Sequence, residues 1–165
     1  MPIKLGVVMD PIADINIKKD TSFAMLLEAQ SRNYELYYIE MGDLYLDNGV
    51  PYANAQVLKV KEDPNDWYSV EPSVDITLAS LDVVLMRKDP PVNAEFIYAT
   101  HMFDLAAQQG TLIVNNSQSL RDFNEKLFTA WFPEFTPPTL VTANEDRIKA
   151  FHAKHQDIIC KPLDG

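Results

Sequence analysis

Apolar runs of strand length recur along much of the chain and are separated by stretches with helical spacing of apolar residues. Four of these runs are expected to form the main strands: residues 3–9, 34–39, 83–86 and 111–114. The stretches at residues 21–32 and 94–109 predict helices. A strand, a helix and a strand joined by short connections form a parallel pair with a right-handed crossover. The pattern therefore predicts a three-layer α/β domain with a parallel sheet and flanking helices.

Both predicted helices carry start and end signals. Asp20 or Thr21 can cap the start of the first helix, and Asn93 can cap the start of the second. Asn33 and Gly110 follow the two helices at positions where a left-handed backbone conformation is expected. These signals fix the expected helix boundaries.

Residues 41–80 interrupt the alternation of strands and helices. Asp47-Asn-Gly49 is a strong turn signal between apolar residues 44–46 and 57–60, and it predicts a β-hairpin excursion. The aromatic pair at residues 67–68 is expected to continue this small sheet. No chemistry is indicated here, so the aromatic side chains are expected to pack against the domain or a subunit partner.

The last part of the chain has its own set of predicted elements. They are a helix over residues 119–132, a strand over residues 140–142, a helix from the capping box Thr142-Ala-Asn-Glu145 to Lys154, and a strand over residues 157–161. Prolines separate the first of these helices from the rest. The sequence predicts that this part begins a second domain.

The predicted domain organisation is residues 1–118 as one complete unit and residues 119–165 as the incomplete start of another. The final strand runs into Asp164-Gly165, and such a strand normally enters a turn with a partner strand beyond it. We therefore expect the chain to be part of a longer protein.

Charge and composition narrow the classes of function. With 47% hydrophobic and 23% charged residues the composition is that of a globular protein, and no apolar run reaches the length of a membrane span. The net charge of -10 argues against nucleic-acid binding, because the chain would repel phosphates. The single cysteine, Cys160, excludes an internal disulfide and fits a cytoplasmic location. Its apolar neighbours predict a buried structural thiol.

The strongest chemical signal is Met86-Arg-Lys-Asp-Pro-Pro91, where a buried strand ends in three charged residues. The carboxyl end of a strand is the edge of an α/β sheet at which ligands bind. The charges indicate an anionic or zwitterionic small molecule, or else a surface loop with an internal ion pair. Residues 10–20 are long for a connection between strand and helix, and they are either functional or a surface insertion.

Several motifs in order along the whole chain resemble those of bacterial glutathione synthetase, a member of the ATP-grasp superfamily. They are Gly6-Val-Val-Met-Asp-Pro-Ile12, Met86-Arg-Lys-Asp-Pro-Pro91, Asn115, Ser119-Leu-Arg-Asp122, Asn124-Glu-Lys-Leu127 and Ile159-Cys-Lys-Pro-Leu-Asp-Gly165. The resemblance implies a Rossmann-like (pre-ATP-grasp) domain followed by the truncated start of an ATP-grasp domain. It also implies a full-length enzyme of roughly twice this length, often a homotetramer.

The reaction that this resemblance implies joins γ-glutamylcysteine to glycine, driven by ATP with Mg²⁺. The dipeptide carboxylate takes the γ-phosphoryl group to give an acyl phosphate, which the glycine amine attacks. Cations beside the phosphates and positioned groups for two zwitterionic substrates are required. The Mg²⁺ ligands and the glycine-rich flap of the family have no counterpart in these residues, so the fragment alone is expected to be inactive.

The resemblance also assigns candidate site residues. Lys126 and Lys161 correspond to the two lysines that contact ATP. Arg87 corresponds to the arginine near the peptide substrate, and a guanidinium can hold a carboxylate by two parallel hydrogen bonds. Asp89 is expected to orient Arg87 or to meet a substrate amine, and Asp10 is expected to line the same crevice. No catalytic residue and no metal ligand is assigned within the chain.

Other functions stay open on the sequence alone. A different ATP-grasp carboxylate–amine ligase is one, although the Met-Arg-Lys-Asp-Pro-Pro run argues against it. A stand-alone binding or assembly domain is another, and it predicts that the native chain ends at Gly165. A dinucleotide-dependent oxidoreductase is poorly supported, because no Gly-x-Gly-x-x-Gly follows the first strand. His101 is expected to be a solvated or half-buried helix residue rather than a metal ligand.

Overall fold

A computed structural model describes residues 1–88 and 91–163 of the chain. Its strands are β1 (Lys4–Val8), β2 (Glu35–Ile39), β3 (Leu44–Asp47), β4 (Val50–Val60), β5 (Tyr68–Val70), β6 (Val74–Thr77), β7 (Val83–Met86) and β8 (Leu112–Val114). Its α-helices are α1 (Thr21–Ser31), α2 (Ala94–Gln108), α3 (Ser117–Asp122) and α4 (Glu145–His155). The strands of the predicted parallel sheet and the two long helices predicted within residues 1–118 are thus confirmed.

The central strands run parallel, with β2, β1, β7 and β8 adjacent in that order. In the register, Val8 at the end of β1 lies opposite Ile39 of β2 and Met86 of β7. The carboxyl ends of the three strands therefore meet at one edge of the sheet. The segments that follow them, including Asp10 and Arg87, begin at that edge.

Two buried clusters lie on the two faces of the sheet, which is the expected three-layer arrangement. Neighbouring residues of β1 point to opposite faces, so Val7 belongs to the cluster with Phe23 of α1 and Val8 to the cluster with Phe103 of α2. Phe23 and Phe103 are among the largest fully buried side chains. The cap predictions are confirmed, since Asp20 accepts from the backbone N–H of Phe23 and Asn93 caps α2 in the same way.

The excursion is larger than the predicted hairpin. β4 begins immediately after the turn, where Asn48 and Gly49 have positive φ angles of 47° and 81°. The first half of β4 pairs with β3 and β6, and its second half pairs with β2 and β5. One long strand thus leaves the main sheet and forms a small antiparallel sheet. The strand β6 was not predicted.

The prediction of one helix over residues 119–132 is wrong. α3 ends at Asp122, and a short 3₁₀ helix follows at Phe128–Trp131. The side chain of Asn124 accepts hydrogen bonds from the backbone N–H groups of Lys126 and Leu127, at 3.0 and 2.9 Å. Asparagine competes in this way with the helical backbone, and here it interrupts the apolar spacing.

Four further predictions for the last part of the chain are also wrong. Residues 140–142 and 157–161 form no strand, because no described segment pairs with them. The cap of α4 is Asn144, whose side chain accepts from the backbone N–H of Arg147. Cys160 is exposed rather than buried. Its apolar neighbours therefore do not form the interior that the sequence suggested.

Burial changes abruptly along the chain. Ser117 is 2% exposed, and from residue 118 to residue 163 no described residue is buried. Large apolar side chains stay exposed there, with Trp131 at 66% and Phe135 at 82%. Among the helices of the described ranges, none combines the length and apolar character that crossing a membrane requires.

We expect amide hydrogen exchange in the 165-residue chain to follow this difference in burial. Residues 125–163 should exchange faster than the strands of the main sheet, because few apolar contacts oppose local opening there. Exchange measured by mass spectrometry on peptic fragments would test this. Equal protection in residues 125–163 and 1–88 would contradict it.

Candidate functional site

A crevice of about 340 Å³ lies at the carboxyl edge of β1 and β7. Its walls come from the two strand ends, the loop after β1 and the first turn of α1. The lining residues are Met9, Asp10, Pro11, Asp14, Ile15, Asp20, Ser22 and Arg87. Two of the predicted substrate residues, Asp10 and Arg87, therefore share one crevice.

Arg87 is held in place from both its backbone and its side chain. Its N–H donates to the carbonyl of Val8 at 2.7 Å, which extends the pairing of β7 with β1 by one residue. Its Nε donates to the hydroxyl of Ser22 at 3.1 Å, and its Nη2 donates to the hydroxyl of Thr21 at 2.9 Å. The two hydroxyls fix one edge of the guanidinium, and a carboxylate can approach the other edge, formed by Nη1 and Nη2.

Asp10 is paired with Lys88, one of the three charged residues at the strand end, to which the sequence assigned no separate role. The Nζ of Lys88 lies 2.7 Å from Oδ1 of Asp10, and Lys88 is the more enclosed of the two side chains. This pair joins the ends of β1 and β7 across the crevice edge. Asp89, the third predicted substrate residue, lies outside the described residues.

The loop after β1 is an ordered wall rather than a loose insertion. It contains a short 3₁₀ helix, Ile12–Asp14, and the side chain of Ile12 is 2% exposed. Ile15 and Ile17 pack against the same buried cluster. Asp20 ends the loop as the cap of α1. The sequence left open whether the loop was functional or a surface insertion. In the structure the loop lines the crevice.

The two predicted ATP residues lie away from this crevice. Lys126 is partly enclosed, and its Nζ lies 3.1 Å from Oε1 of the neighbouring Glu125. Lys161 is exposed and lines a hollow of about 500 Å³ beside α4. Lys126 is not among the residues of that hollow. The structure therefore does not place the two lysines in one pocket.

Asn124 connects the segments that carry the two lysines. Its side-chain oxygen accepts from the backbone N–H of Lys126, while its Nδ2 donates to the carbonyl of Leu163 at 2.7 Å. Leu163 follows Lys161 by two positions, so one side chain holds the start of one segment against the end of the other. The side chain of Asn124 thus bridges two of the motifs that carry the resemblance.

Four residues with contacts at these sites were not assigned from the sequence. They are Thr21, Ser22, Lys88 and Asn124. The sequence indicated Thr21 only as a possible helix cap. Contacts between residues more than sixty positions apart, such as Arg87 with Ser22, cannot be recognised from a local sequence pattern. Within residues 1–88 and 91–163 no group of three or more histidine, cysteine, aspartate or glutamate side chains could hold a metal ion. His101 is exposed on α2, as expected.

Two family profiles match the chain. The profile described as the prokaryotic glutathione synthetase N-terminal domain matches residues 3–121, and the prokaryotic glutathione synthetase ATP-grasp domain matches residues 125–165. The glutathione synthetase of Vibrio vulnificus strain YJ016 is 62% identical over 165 residues, which are 100% of this chain and 52% of that protein. The glutathione synthetase of Escherichia coli strain K12 is 64% identical over 163 residues, 99% of this chain and 52% of that protein.

The chain thus spans about half the length of the curated relatives it matches. A solved structure of the ATP-grasp ligase PsnB, complexed with a minimal precursor, is similar with a TM-score of 0.52 and 17% sequence identity. The similarity covers 100% of this chain and 55% of that one. It shows a shared fold, and with the second family profile it confirms the predicted partial ATP-grasp domain.

Proposed function

The chain belongs to the prokaryotic glutathione synthetase family, and on that basis we propose that it is the N-terminal portion of a ligase that joins γ-glutamylcysteine to glycine with ATP. The observation that carries the proposal is the crevice at the end of β1 and β7, where an anchored guanidinium lies beside a long ordered loop. A small zwitterionic peptide is a suitable ligand for such a crevice.

The proposed reaction has two steps. A cysteinyl carboxylate oxygen of the dipeptide attacks the γ-phosphorus of ATP, so that ADP leaves and an acyl phosphate forms. The glycine amine then attacks the acyl carbon, phosphate leaves with its bridging oxygen, and the amine loses a proton. Both steps need the dipeptide held still beside the phosphates, since positioning and charge stabilisation supply most of the catalysis of phosphoryl transfer.

Arg87 is proposed to bind a carboxylate of the dipeptide. Its guanidinium is anchored by Thr21 and Ser22, so little side-chain entropy is lost when a ligand binds. Asp10 is proposed to line the same subsite, with Lys88 holding its carboxylate in position. Asp89 is proposed to orient Arg87 or to meet the substrate amine.

Lys126 and Lys161 are proposed to bind the phosphates of ATP. The contact of Asn124 with both segments supports a shared role for them. The family also implies Mg²⁺, but the described residues offer no cluster of metal-ligating side chains. We propose that the Mg²⁺ ligands belong to the remainder of the full-length protein.

We expect Lys126→Ala and Lys161→Ala, each in the full-length protein, to raise the KM for ATP by about tenfold or more. Each removes a hydrogen bond between charged groups, worth about 1.5–3 kcal/mol. Steady-state kinetics with ATP as the varied substrate would measure this effect. Lys154→Ala is the matched control, because Lys154 is an exposed lysine of α4 that belongs to neither motif and does not line the hollow. A KM for ATP equal to that of the control would refute the nucleotide role.

We propose residues 1–118 and 119–165 as two domains, the second incomplete, and we propose that these 165 residues alone do not catalyse the ligation. The end of burial at Ser117 supports the boundary. The chain spans about half the length of its relatives, and this supports the proposal that these residues alone are inactive. A homo-oligomeric, cytoplasmic enzyme is proposed from the family alone.

Substrate specificity of the full-length protein provides the test of this function. ADP release should require both γ-glutamylcysteine and glycine, and it should be slow with other carboxylate and amine pairs. A panel that includes longer peptides and other amino acids separates this activity from that of a different carboxylate–amine ligase. ADP release that is fastest with another pair would assign the protein to that other reaction.

A further inference from the structure

The loop after β1 is held at one residue by side chains from two distant parts of the chain. The backbone N–H of Ile12 donates to the hydroxyl of Tyr38 on β2 at 3.1 Å. The backbone carbonyl of Ile12 accepts from Nε1 of Trp67 at 2.9 Å. Side chains therefore satisfy both polar backbone groups of this buried residue. Trp67 belongs to the connection between β4 and β5, within the excursion of residues 41–80.

We propose that Tyr38 and Trp67 are positioning residues, which hold residues 10–20 as a wall of the Arg87 crevice and thereby set the affinity for the dipeptide. The inference rests on the proposed function and deepens it. It also assigns a role to the excursion of residues 41–80, since Trp67, just before β5, is the residue through which the excursion would hold the loop. Neither Tyr38 nor Trp67 lines the crevice, so each acts through the loop.

The backbone hydrogen bonds within residues 11–20 are local: the N–H of Asp14 donates to the carbonyl of Pro11, and those of Lys19 and Asp20 donate to the carbonyl of Asn16. The bonds of Tyr38 and Trp67 tie this loop to distant parts of the chain. A buried backbone group without a partner costs free energy comparable to a lost hydrogen bond. Ile12 lies between Pro11 and Asp14, both of which line the crevice. A shift of Ile12 therefore moves the wall on both sides of it.

The hydroxyl of Tyr38 is itself fixed in orientation. It donates to Oε1 of Glu40, which leaves its lone pairs for the N–H of Ile12. Glu40 is held in turn by a reciprocal capping arrangement with Asp43. Burial, together with the hydrogen bond to Glu40, raises the pKa of Tyr38 well above its ordinary value. The hydroxyl is therefore protonated at neutral pH and can keep its hydrogen bond to Ile12.

The neighbouring Tyr37 provides a matched control. It is also buried on β2, and its hydroxyl donates to Glu35 two positions away, as that of Tyr38 does to Glu40. Its side chain belongs to the cluster on the opposite face of the sheet. Tyr37→Phe thus removes a comparable hydroxyl and leaves the loop untouched.

The experiment compares Trp67→Phe, Tyr38→Phe and Tyr37→Phe in the full-length protein. Trp67→Phe keeps an aromatic ring and loses the N–H donor. Both test variants should raise the KM for γ-glutamylcysteine by about threefold to tenfold, the equivalent of one neutral hydrogen bond. They should leave kcat and the KM for ATP within about twofold. Hydrogen exchange at residues 11–20 should accelerate in both and stay unchanged in Tyr37→Phe.

The proposal would be overturned by wild-type exchange in residues 11–20 for both test variants, or by faster exchange with an unchanged KM for the dipeptide. An equal rise of KM in Tyr37→Phe would do the same, because it would indicate general loosening of the sheet. The hydrogen-exchange measurement does not require catalytic activity. If the wild-type protein does not use the dipeptide, the proposed function fails, while exchange still decides whether Tyr38 and Trp67 hold the loop.

Discussion

Replacing Arg87 by alanine in the full-length protein is expected to lower kcat/KM for γ-glutamylcysteine on the order of a hundredfold or more. The proposed contact is a pair of charge-assisted hydrogen bonds to a carboxylate, and each is worth about 1.5–3 kcal/mol. The loss should fall mainly on the dipeptide, because Arg87 lies in the crevice and not beside Lys161. Steady-state kinetics with each substrate varied in turn would show this.

Two further variants separate charge from geometry at Arg87. Arg87→Lys keeps the positive charge and loses the planar fork, so it should recover only part of the activity. Thr21→Val removes the hydroxyl that accepts from Nη2, and it should cause a smaller loss than Arg87→Ala. An unchanged kcat/KM for the dipeptide in Arg87→Ala would contradict the assigned role.

The largest effect on stability is expected from Phe103→Ala. Phe103 is fully buried between α2 and the sheet, and truncation of a buried phenylalanine costs about 3–5 kcal/mol through lost burial and the cavity left behind. Urea denaturation of the 165-residue chain, followed by far-ultraviolet circular dichroism, would measure the change. The transition reports residues 5–113, which contain the two buried clusters.

Tyr98→Ala on the same helix is the control for this substitution. The Tyr98 side chain is also aromatic, but the residue is 62% exposed. Its truncation should change the free energy of unfolding by no more than about 0.5 kcal/mol. A similar loss for Tyr98→Ala and Phe103→Ala would mean that the described core does not determine stability.

Local patterns were sufficient for most of the first domain. The apolar runs of β1, β2 and β7 are short and bounded by turns, and the caps Asp20 and Asn93 are local in sequence. Their side chains bond to backbone groups three positions away, so the signal lies within a few residues. The parallel pairing of β1 with β2 was predicted because a short strand–helix–strand connection requires it, whereas the order of the strands was not predicted.

The errors occur where the outcome depends on partners that are distant in the sequence or that no described segment provides. Asn124 broke a predicted helix because its side chain bonds to the backbone on one side and to Leu163 on the other. Residues 157–161 have a strand-like composition but pair with no described segment, so no strand forms and Cys160 is exposed. β6 contains Asp75 and is largely exposed, so its residues do not show the clear alternation of apolar and polar positions that predicts a strand. Only its pairing with β4 identifies it.

The candidate site was only partly predictable for the same reason. The charged strand end at Arg87 and the long loop after Asp10 were evident from their position after apolar runs, and the structure brings the two into one crevice. The hydroxyls of Thr21 and Ser22 and the contacts of Trp67 lie more than fifty positions from their partners. Such contacts are set by the packing of the sheet, which local patterns do not report.

The most direct test of the central claim is an isotope-transfer experiment with the full-length protein. γ-Glutamylcysteine carrying ¹⁸O in its cysteinyl carboxylate is incubated with ATP, Mg²⁺ and glycine, and glutathione and phosphate are analysed by mass spectrometry. Attack of the carboxylate on the γ-phosphorus predicts one labelled oxygen in the new peptide carbonyl of glutathione and the other in inorganic phosphate. Absence of glutathione, or unlabelled phosphate formed together with glutathione, would contradict the account.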